Sequence, residues 1–389
     1  MTAFRIPYGR QDIRDDDVEA VNEVLRSDWL TQGPVVARFE AAIAGYCGAT
    51  HAVALNSATS ALHVACLALG LGPGDRLWTS PNTFLASANC ARYCRADVDF
   101  VDIDPTSYNM SADALSRKLE KAAVADELPK IVVPVHFAGQ SCDMHRIHAL
   151  AQEYGFHTIE DASHAVGGTY LNEPVGNCKF SDICILSFHP VKIITTAEGG
   201  MALTNDDELA ARMARLRSHG MTRDPALMDC DADGPWFYQQ IDLGFNYRMT
   251  DMQAALGCSQ LTRIDGYVAR RRDLAARYQA LLSNLPLRLP RQSADAMSAW
   301  HLYVVQVLSG HDRRRVFEHL RSVGIGVNVH YIPVHTQAYY RRLGFRPGMY
   351  PEAEEYYRRA ISLPMFATLT DEQQDFVAAE LRRALHERA

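Results

Sequence analysis

The feature that most limits this fold is an alternation running from residue 51 to about residue 204. Short apolar runs, "HAVALN", "RLWTS", "VDFVDI", "KIVVPV" and "FHTIED", are separated by stretches of helical periodicity at 58–70, 83–94, 111–122 and 143–154. The runs are too short for buried helices, and too continuously apolar for a sheet wetted on one face. A mostly parallel sheet covered by helices on both faces buries them all, so the expected class is α/β. Two further strands are expected, in "FSDICILSF" and in the second half of "IITTAEGGMALTN".

Past residue 250 the pattern changes. Residues 250–283 read as one long helix, which "NLPLRLPRQ" breaks. A strand "LYVVQVL", a helix "DRRRVFEHLRSVG", a strand "GVNVHY" and two closing helices follow. Two domains are therefore expected. Residues 1–250 form a large α/β domain with an N-terminal arm, and 251–389 form the linking helix and a smaller α+β domain. A chain of 389 residues can bury cores of that size.

Composition removes several function classes. A net charge of −7 opposes binding to nucleic acid or to anionic membranes. Apolar runs fall short of the roughly 18 residues of a membrane span. The start, "MTAFRIPYGRQDIRDDD", has no apolar signal core, so the cytoplasm is the expected location. The nine cysteines are scattered without a CxxC pair, and Cys90 and Cys94 read as small packing residues on a helix. His145 and His148 lack a third ligand, so no metal site is expected. The run "LGLGPGDR" follows a helix and precedes a strand, which fits a helix C-cap and turn rather than a nucleotide loop.

Chemistry concentrates in "SFHPVKIITTAEGG", residues 187–200. Lys192 lies between a buried strand and a glycine pair, flanked by Pro190, Val191, Ile193 and Ile194. A stem crossing apolar surface with its ammonium in water is one reading. The other is a desolvated amine whose lowered pKa makes it a nucleophile, most commonly for a Schiff base. That chemistry needs a phosphate cradle, and "NSATSALH", residues 56–63, has the right composition after a strand. Its candidates are the N–H groups of Ala58 and Thr59 and the hydroxyls of Thr59 and Ser60, with Ser187 as a further donor; a plain N-cap would use the same residues. In "FHTIEDASHAVGG", Glu160 and Asp161 end a strand. A carboxylate ~3 Å from a pyridine nitrogen would hold its proton by about 5 kcal/mol at an effective dielectric near ~20. An Asp capping the next helix is the alternative. Phe84 can stack on a ring or fill a core.

The order of these parts resembles the fold-type I pyridoxal 5′-phosphate aminotransferases. Within them, "SFHPVKIITTAEGG" and "GFNYRMTDMQAALGCSQL" are similar to the sugar-nucleotide aminotransferases over nearly the whole chain. With "SDWLTQGPVVARFE", "NSATSALH" and "EDASHAVGG", the resemblance narrows to the pseudaminic acid branch, which forms UDP-4-amino-4,6-dideoxy-N-acetyl-β-L-altrosamine. Two positions depart from the wider pattern: His164 replaces the usual Gln, and Ala197 replaces the usual Gly before "EGG". They put in doubt a simple transfer of sugar preference from other branches.

The resemblance implies roles. Lys192 would carry the Schiff base and move protons, Asp161 would pair with the pyridinium, and His164 would lie near the phenolic oxygen. Phe84 would stack on the ring. Ala58, Thr59 and Ser187 would hold the phosphate with Asn246 of a second subunit, making a homodimer. Tyr8, Asp28, Trp29, Leu30, Thr31, Val329, His330, Tyr331 and Ile332 would line the sugar-nucleotide site, with Ala58, Ser187 and Asn246. L-glutamate would donate the amino group to carbon 4 of a UDP-linked 4-keto-6-deoxy amino sugar. Other outcomes are an aminotransferase for another nucleotide-linked 4-keto or 3-keto sugar, and a non-enzymatic regulatory protein on the same scaffold. A dehydratase relative would carry His in place of Lys192.

Overall fold

The computed structural model describes residues 5–386. Seven strands form the main sheet: β1 (His51–Leu55), β2 (Arg76–Thr79), β3 (Asp97–Phe100), β4 (Ile131–Val133), β5 (His157–Asp161), β6 (Ile183–Ser187) and β7 (Gly200–Thr204). Their order is β1-β7-β6-β5-β4-β2-β3. The pairs from β6 to β3 are parallel, and β7 runs antiparallel to both β1 and β6. Every residue of β6 and β7 is buried, as expected of central strands covered on both faces. The α/β expectation is met.

Helices follow most strands. Among them are α1 (Ala58–Ala68) after β1, α2 (Ala86–Tyr93) after β2, α3 (Ala112–Ala125) after β3, α4 (Met144–Tyr154) after β4 and α5 (Asp207–Arg217) after β7. Ser57 caps α1 by accepting from the Ser60 N–H at 3.1 Å. The turn after α1 has Gly70 in a left-handed conformation (φ 73°), the C-cap expected of "LGLGPGDR". Cys90 and Cys94 are buried, and His145 and His148 of α4 rest against Phe180. Among the described residues no helix is long and apolar enough to cross a membrane.

A second core gathers Ile6 with residues of the C-terminal third, over a three-stranded sheet of Leu287–Arg288, Tyr303–Val307 and Ala360–Leu363. Ile6 is stitched to this part by its N–H to Gly324 O at 3.1 Å, and its carbonyl accepts from Gly326 N–H at 2.6 Å.

Three local expectations need correction. The single helix over 250–283 is two, Asp251–Leu261 and Ile264–Leu282. The Thr262 hydroxyl bonds back to Ser259 O at 2.7 Å, and the Arg263 guanidinium turns to the buried Asp17 at 2.6–2.7 Å. The "GVNVHY" stretch is irregular, with one isolated bridge at Asn328 and another just before it at Ile325. The strand Ala360–Leu363 was not expected, because it follows helix Pro351–Arg359 with no turn residue between them.

Ala197 adopts φ 66°, where an L side chain crowds its own carbonyl. That conformation accounts for Gly being usual at this position. Replacing Ala197 with Gly is predicted to raise stability by roughly 0.5–1 kcal/mol, strain relief exceeding the added chain entropy. A higher urea midpoint at unchanged slope is the expected measurement, and a lower midpoint contradicts it.

Candidate active site

The C-terminal ends of β1, β2, β5 and β6 open onto one cleft of about 570 Å³. Ligands of parallel sheets sit at these ends because the loops there diverge and helix N-termini point inward. The cleft brings together Tyr8, Ala58, Thr59, Phe84, Asp161, His164, Ser187, Lys192, Val329, His330 and Tyr331.

On its floor, β1 leads into α1, whose first N–H groups at Ala58 and Thr59 have no intrahelical acceptor. The cradle is narrower than its sequence suggests. The Ser60 hydroxyl donates to Asn56 Oδ1 and lies 2.7 Å from Ser57 Oγ, so this buried group is committed to the loop itself. Ser60 is therefore removed from the phosphate candidates. The glycine pair also gains its explanation here. A Cβ at Gly200 would collide with the backbone N of Ala58 and the carbonyl of Ser57, and one at Gly199 with the Thr196 hydroxyl. β7 can lie against the mouth of the cradle only without side chains at these two positions.

Asp161 ends β5 and is buried. It accepts from the Ser87 hydroxyl at 2.6 Å and from the Ser163 N–H at 3.1 Å, which fix the carboxylate's orientation. Glu160, the adjacent carboxylate, faces the other side of the sheet, as alternation along a strand requires. It lies 2.6 Å from His136 Nε2 and accepts from the Ser181 hydroxyl at 2.5 Å. Of this pair, Asp161 belongs to the cleft.

Lys192 follows β6 on a turn where its N–H donates to His189 O at 2.8 Å. Burial lowers its pKa to about 8, against the opposing pull of Asp161. Three histidines surround it. Burial and the Lys192 charge lower the pKa of His164 well below the usual value and bring His330 to about 3. Burial, with His164 and Lys192, does the same to His301. These shifts favour the neutral imidazole at all three, and Lys192 is the one Lys or Arg among the described residues lining the cleft.

His301 was missed in the sequence, where "SAWHLY" carries no recognisable signal. Its ring centroid is 4.4 Å from that of His164, and its Nδ1 is buried without a hydrogen-bond partner.

The remaining candidates lie elsewhere in a single chain. Asp28, Trp29, Leu30 and Thr31 are exposed, with Thr31 bridged to Thr250 and Leu30 O accepting from the Asp251 N–H. Asn246 is bridged to Ser218, and Ile332 is exposed just beyond the cleft wall. These residues are absent from the cleft of their own chain.

A family model described as the DegT/DnrJ/EryC1/StrS aminotransferase family matches residues 11–382. The chain is 40% identical over 383 residues to the spore coat polysaccharide biosynthesis protein SpsC of Bacillus subtilis, covering 97% of this chain and 96% of SpsC. Its structure is similar to that of Helicobacter pylori PseC, an aminotransferase involved in the biosynthesis of pseudaminic acid. The TM-score is 0.89 at 30% identity, over 98% of this chain and 99% of that one. It is also similar to Spr1654 of Streptococcus pneumoniae, assigned as a sugar aminotransferase. The PMP form gives a TM-score of 0.89 at 29% identity, over 98% and 99% of the two chains, and the PLP form gives 0.87 at 28%, over 97% and 98%.

The cradle, the oriented carboxylate and the low-pKa amine fit pyridoxal 5′-phosphate. Gly200→Ala is predicted to push the Ala58 N–H off the phosphate and weaken cofactor binding by about 10-fold or more, the scale of one hydrogen bond to a charged group. Equilibrium dialysis measures this directly. Unchanged affinity with an intact fold contradicts the placement of the cradle.

Proposed function

The chain belongs to the DegT/DnrJ/EryC1/StrS aminotransferase family, and from that premise we propose its substrate, its donor and its assembly. It is a pyridoxal 5′-phosphate-dependent aminotransferase acting on nucleotide sugars. The proposed acceptor is a UDP-linked 4-keto-6-deoxy-N-acetylhexosamine, the product UDP-4-amino-4,6-dideoxy-N-acetyl-β-L-altrosamine, the amino donor L-glutamate, and the setting cytoplasmic.

One observation carries the acceptor: the wall facing Lys192 is built from Tyr8, Val329, His330 and Tyr331, without formal charge. Neutral hydrogen-bonding groups and ring faces suit a hexose, which offers hydroxyls and a ketone but no charge. The overall likeness to PseC supports the pseudaminic branch. The 40% identity to SpsC favours a second reading, in which a different nucleotide-linked keto sugar is used on the same wall. The proposed division at residue 250 puts the cofactor groups in the first domain and the His301 and His330–Tyr331 wall in the second.

When bound, pyridoxal phosphate supplies a carbonyl that receives the amino group and a ring that holds the electron pair left by a broken C–H bond. The chain's own residues do the rest. Ala58, Thr59 and Ser187 would bind the phosphate, and Phe84 would cover one ring face. Asp161, kept an acceptor by the Ser87 hydroxyl, would hold the proton on the ring nitrogen. Lys192 Nζ, with a pKa of about 8, is basic enough to take up a proton and acidic enough to return it near neutral pH.

Assembly as a homodimer is part of the proposal. Trp29, Trp236 and Leu243 are large apolar side chains left 55%, 69% and 82% exposed by a single chain. A second copy packed against Asn246 and the segment Asp28–Thr31 would bring them toward a neighbouring cleft and complete the phosphate cradle.

The test is incubation with UDP- and dTDP-linked 4-keto sugars plus L-glutamate, with product identification by NMR. The expected result is the 4-amino sugar from the UDP-linked 4-keto-6-deoxy-N-acetylhexosamine, with one 2-oxoglutarate per turnover. Amination of a dTDP sugar alone, or at carbon 3, contradicts the reading.

A further inference from the structure

The hydrogen bonds behind the cleft wall have a fixed direction. The backbone N–H of Ala138, on a turn with φ 59°, points at His164 Nδ1 at 3.3 Å. A backbone N–H can only donate, so Nδ1 accepts, and the single proton of the neutral ring sits on Nε2. Nε2 lies 3.1 Å from Tyr331 Oη. The imidazole therefore donates to the phenol, and the phenol's own hydrogen must point elsewhere. Among the described residues His164 is the hydrogen-bond partner of that hydroxyl, and Tyr331 lines the cleft. The residue is held from both sides: its backbone N–H donates to Asn82 Oδ1 at 3.2 Å, and its ring lies edge-on to His330 at 4.9 Å.

We propose that Tyr331 is the acid that protonates the departing ketone oxygen of the sugar, and that His164 is the positioning residue that aims it. This rests on the substrate being a keto sugar. Exchanging a ketone oxygen for nitrogen forms two carbon–nitrogen bonds, breaks two carbon–oxygen bonds, and moves two protons from the nitrogen to the oxygen, which leaves as water. The amino group carried by the cofactor would provide both protons in the end, but the oxygen needs one before that nitrogen has released it. Tyr331 lends that proton and regains it from the nitrogen, while His164 Nε2–H stabilises the phenolate in the interval. Burial, with Asp161 and Tyr8 nearby, raises the pKa of the phenol, so the proton is in place when the substrate arrives. The polarity also explains how His can stand where Gln is usual. A Gln oxygen would accept from Ala138 N–H and its amide would donate to Tyr331, so the direction is the same.

Two measurements test this. In the first, the glutamate and sugar half-reactions are followed separately by single-turnover spectroscopy, with whichever nucleotide keto sugar is accepted. Tyr331→Phe is expected to slow the sugar half-reaction about 100-fold at saturating sugar, with a far smaller effect on the glutamate half-reaction. His164→Phe should reproduce that loss, and His164→Gln should recover most of it. A higher sugar KM with an unchanged saturating rate in Tyr331→Phe would reduce Tyr331 to a binding contact and overturn the proposal. The second measurement needs no turnover. Nitrogen-15 NMR of the cofactor-free protein, with the His164 signals assigned by their loss in His164→Gln, should show a neutral ring protonated on Nε2 at pH 7. A proton on Nδ1, or an imidazolium, overturns the relay. If no nucleotide keto sugar is turned over, the substrate reading falls, and the NMR tautomer alone then decides the relay.

Discussion

A single amine held out of water organises this molecule. Lys192 sits where β6 ends and the chain turns among apolar residues, and burial brings its pKa to about 8. Its residual charge would be costly without Asp161 on the neighbouring strand, whose attraction offsets part of the desolvation. Burial lowers the pKa of His164, His301 and His330, the Lys192 charge adds to the effect, and that neutrality gives the wall its character.

Geometry around this amine is set by backbone contacts as much as by side chains. β7 is antiparallel in an otherwise parallel run, and it returns directly from the lysine turn to lie beside β1. That return places Gly200 against the start of α1, so the lysine and the phosphate cradle are coupled through one close backbone approach. The wall opposite is irregular because its residues serve the cleft. Residues 326–331 make one isolated bridge, Asn328 to Ser362, leaving His330 and Tyr331 free of a regular ladder.

Much of this was legible in the sequence, for identifiable reasons. Parallel strands buried on both faces leave continuous apolar runs, so β1, β2, β4, β5 and β6 stand out. Lys192 is visible as a lone charge among Pro190, Val191, Ile193 and Ile194, and Asp161 as a carboxylate at the end of a strand. Other features leave no local trace. The break at Thr262–Arg263 arises from Arg263 reaching Asp17, some 250 positions away, and nothing within the helix signals it. Ser60 looks like a phosphate ligand until its hydroxyl is seen bound to Asn56. His301 has an unremarkable neighbourhood in sequence, and its orphaned Nδ1 exists only once the chain is folded. Asn246 and Asp28–Thr31 lie away from the cleft, so their roles depend on a second chain.

The central claim is that the Lys192 amine, and no other, bonds covalently to the cofactor. Borohydride reduction of the purified, cofactor-loaded protein, followed by proteolysis and mass spectrometry, tests it directly. The account predicts one reduced cofactor per chain, fixed to the peptide containing Lys192, with the visible absorbance lost in step. Label on another lysine, or a protein that keeps its absorbance and gains no mass, would contradict it.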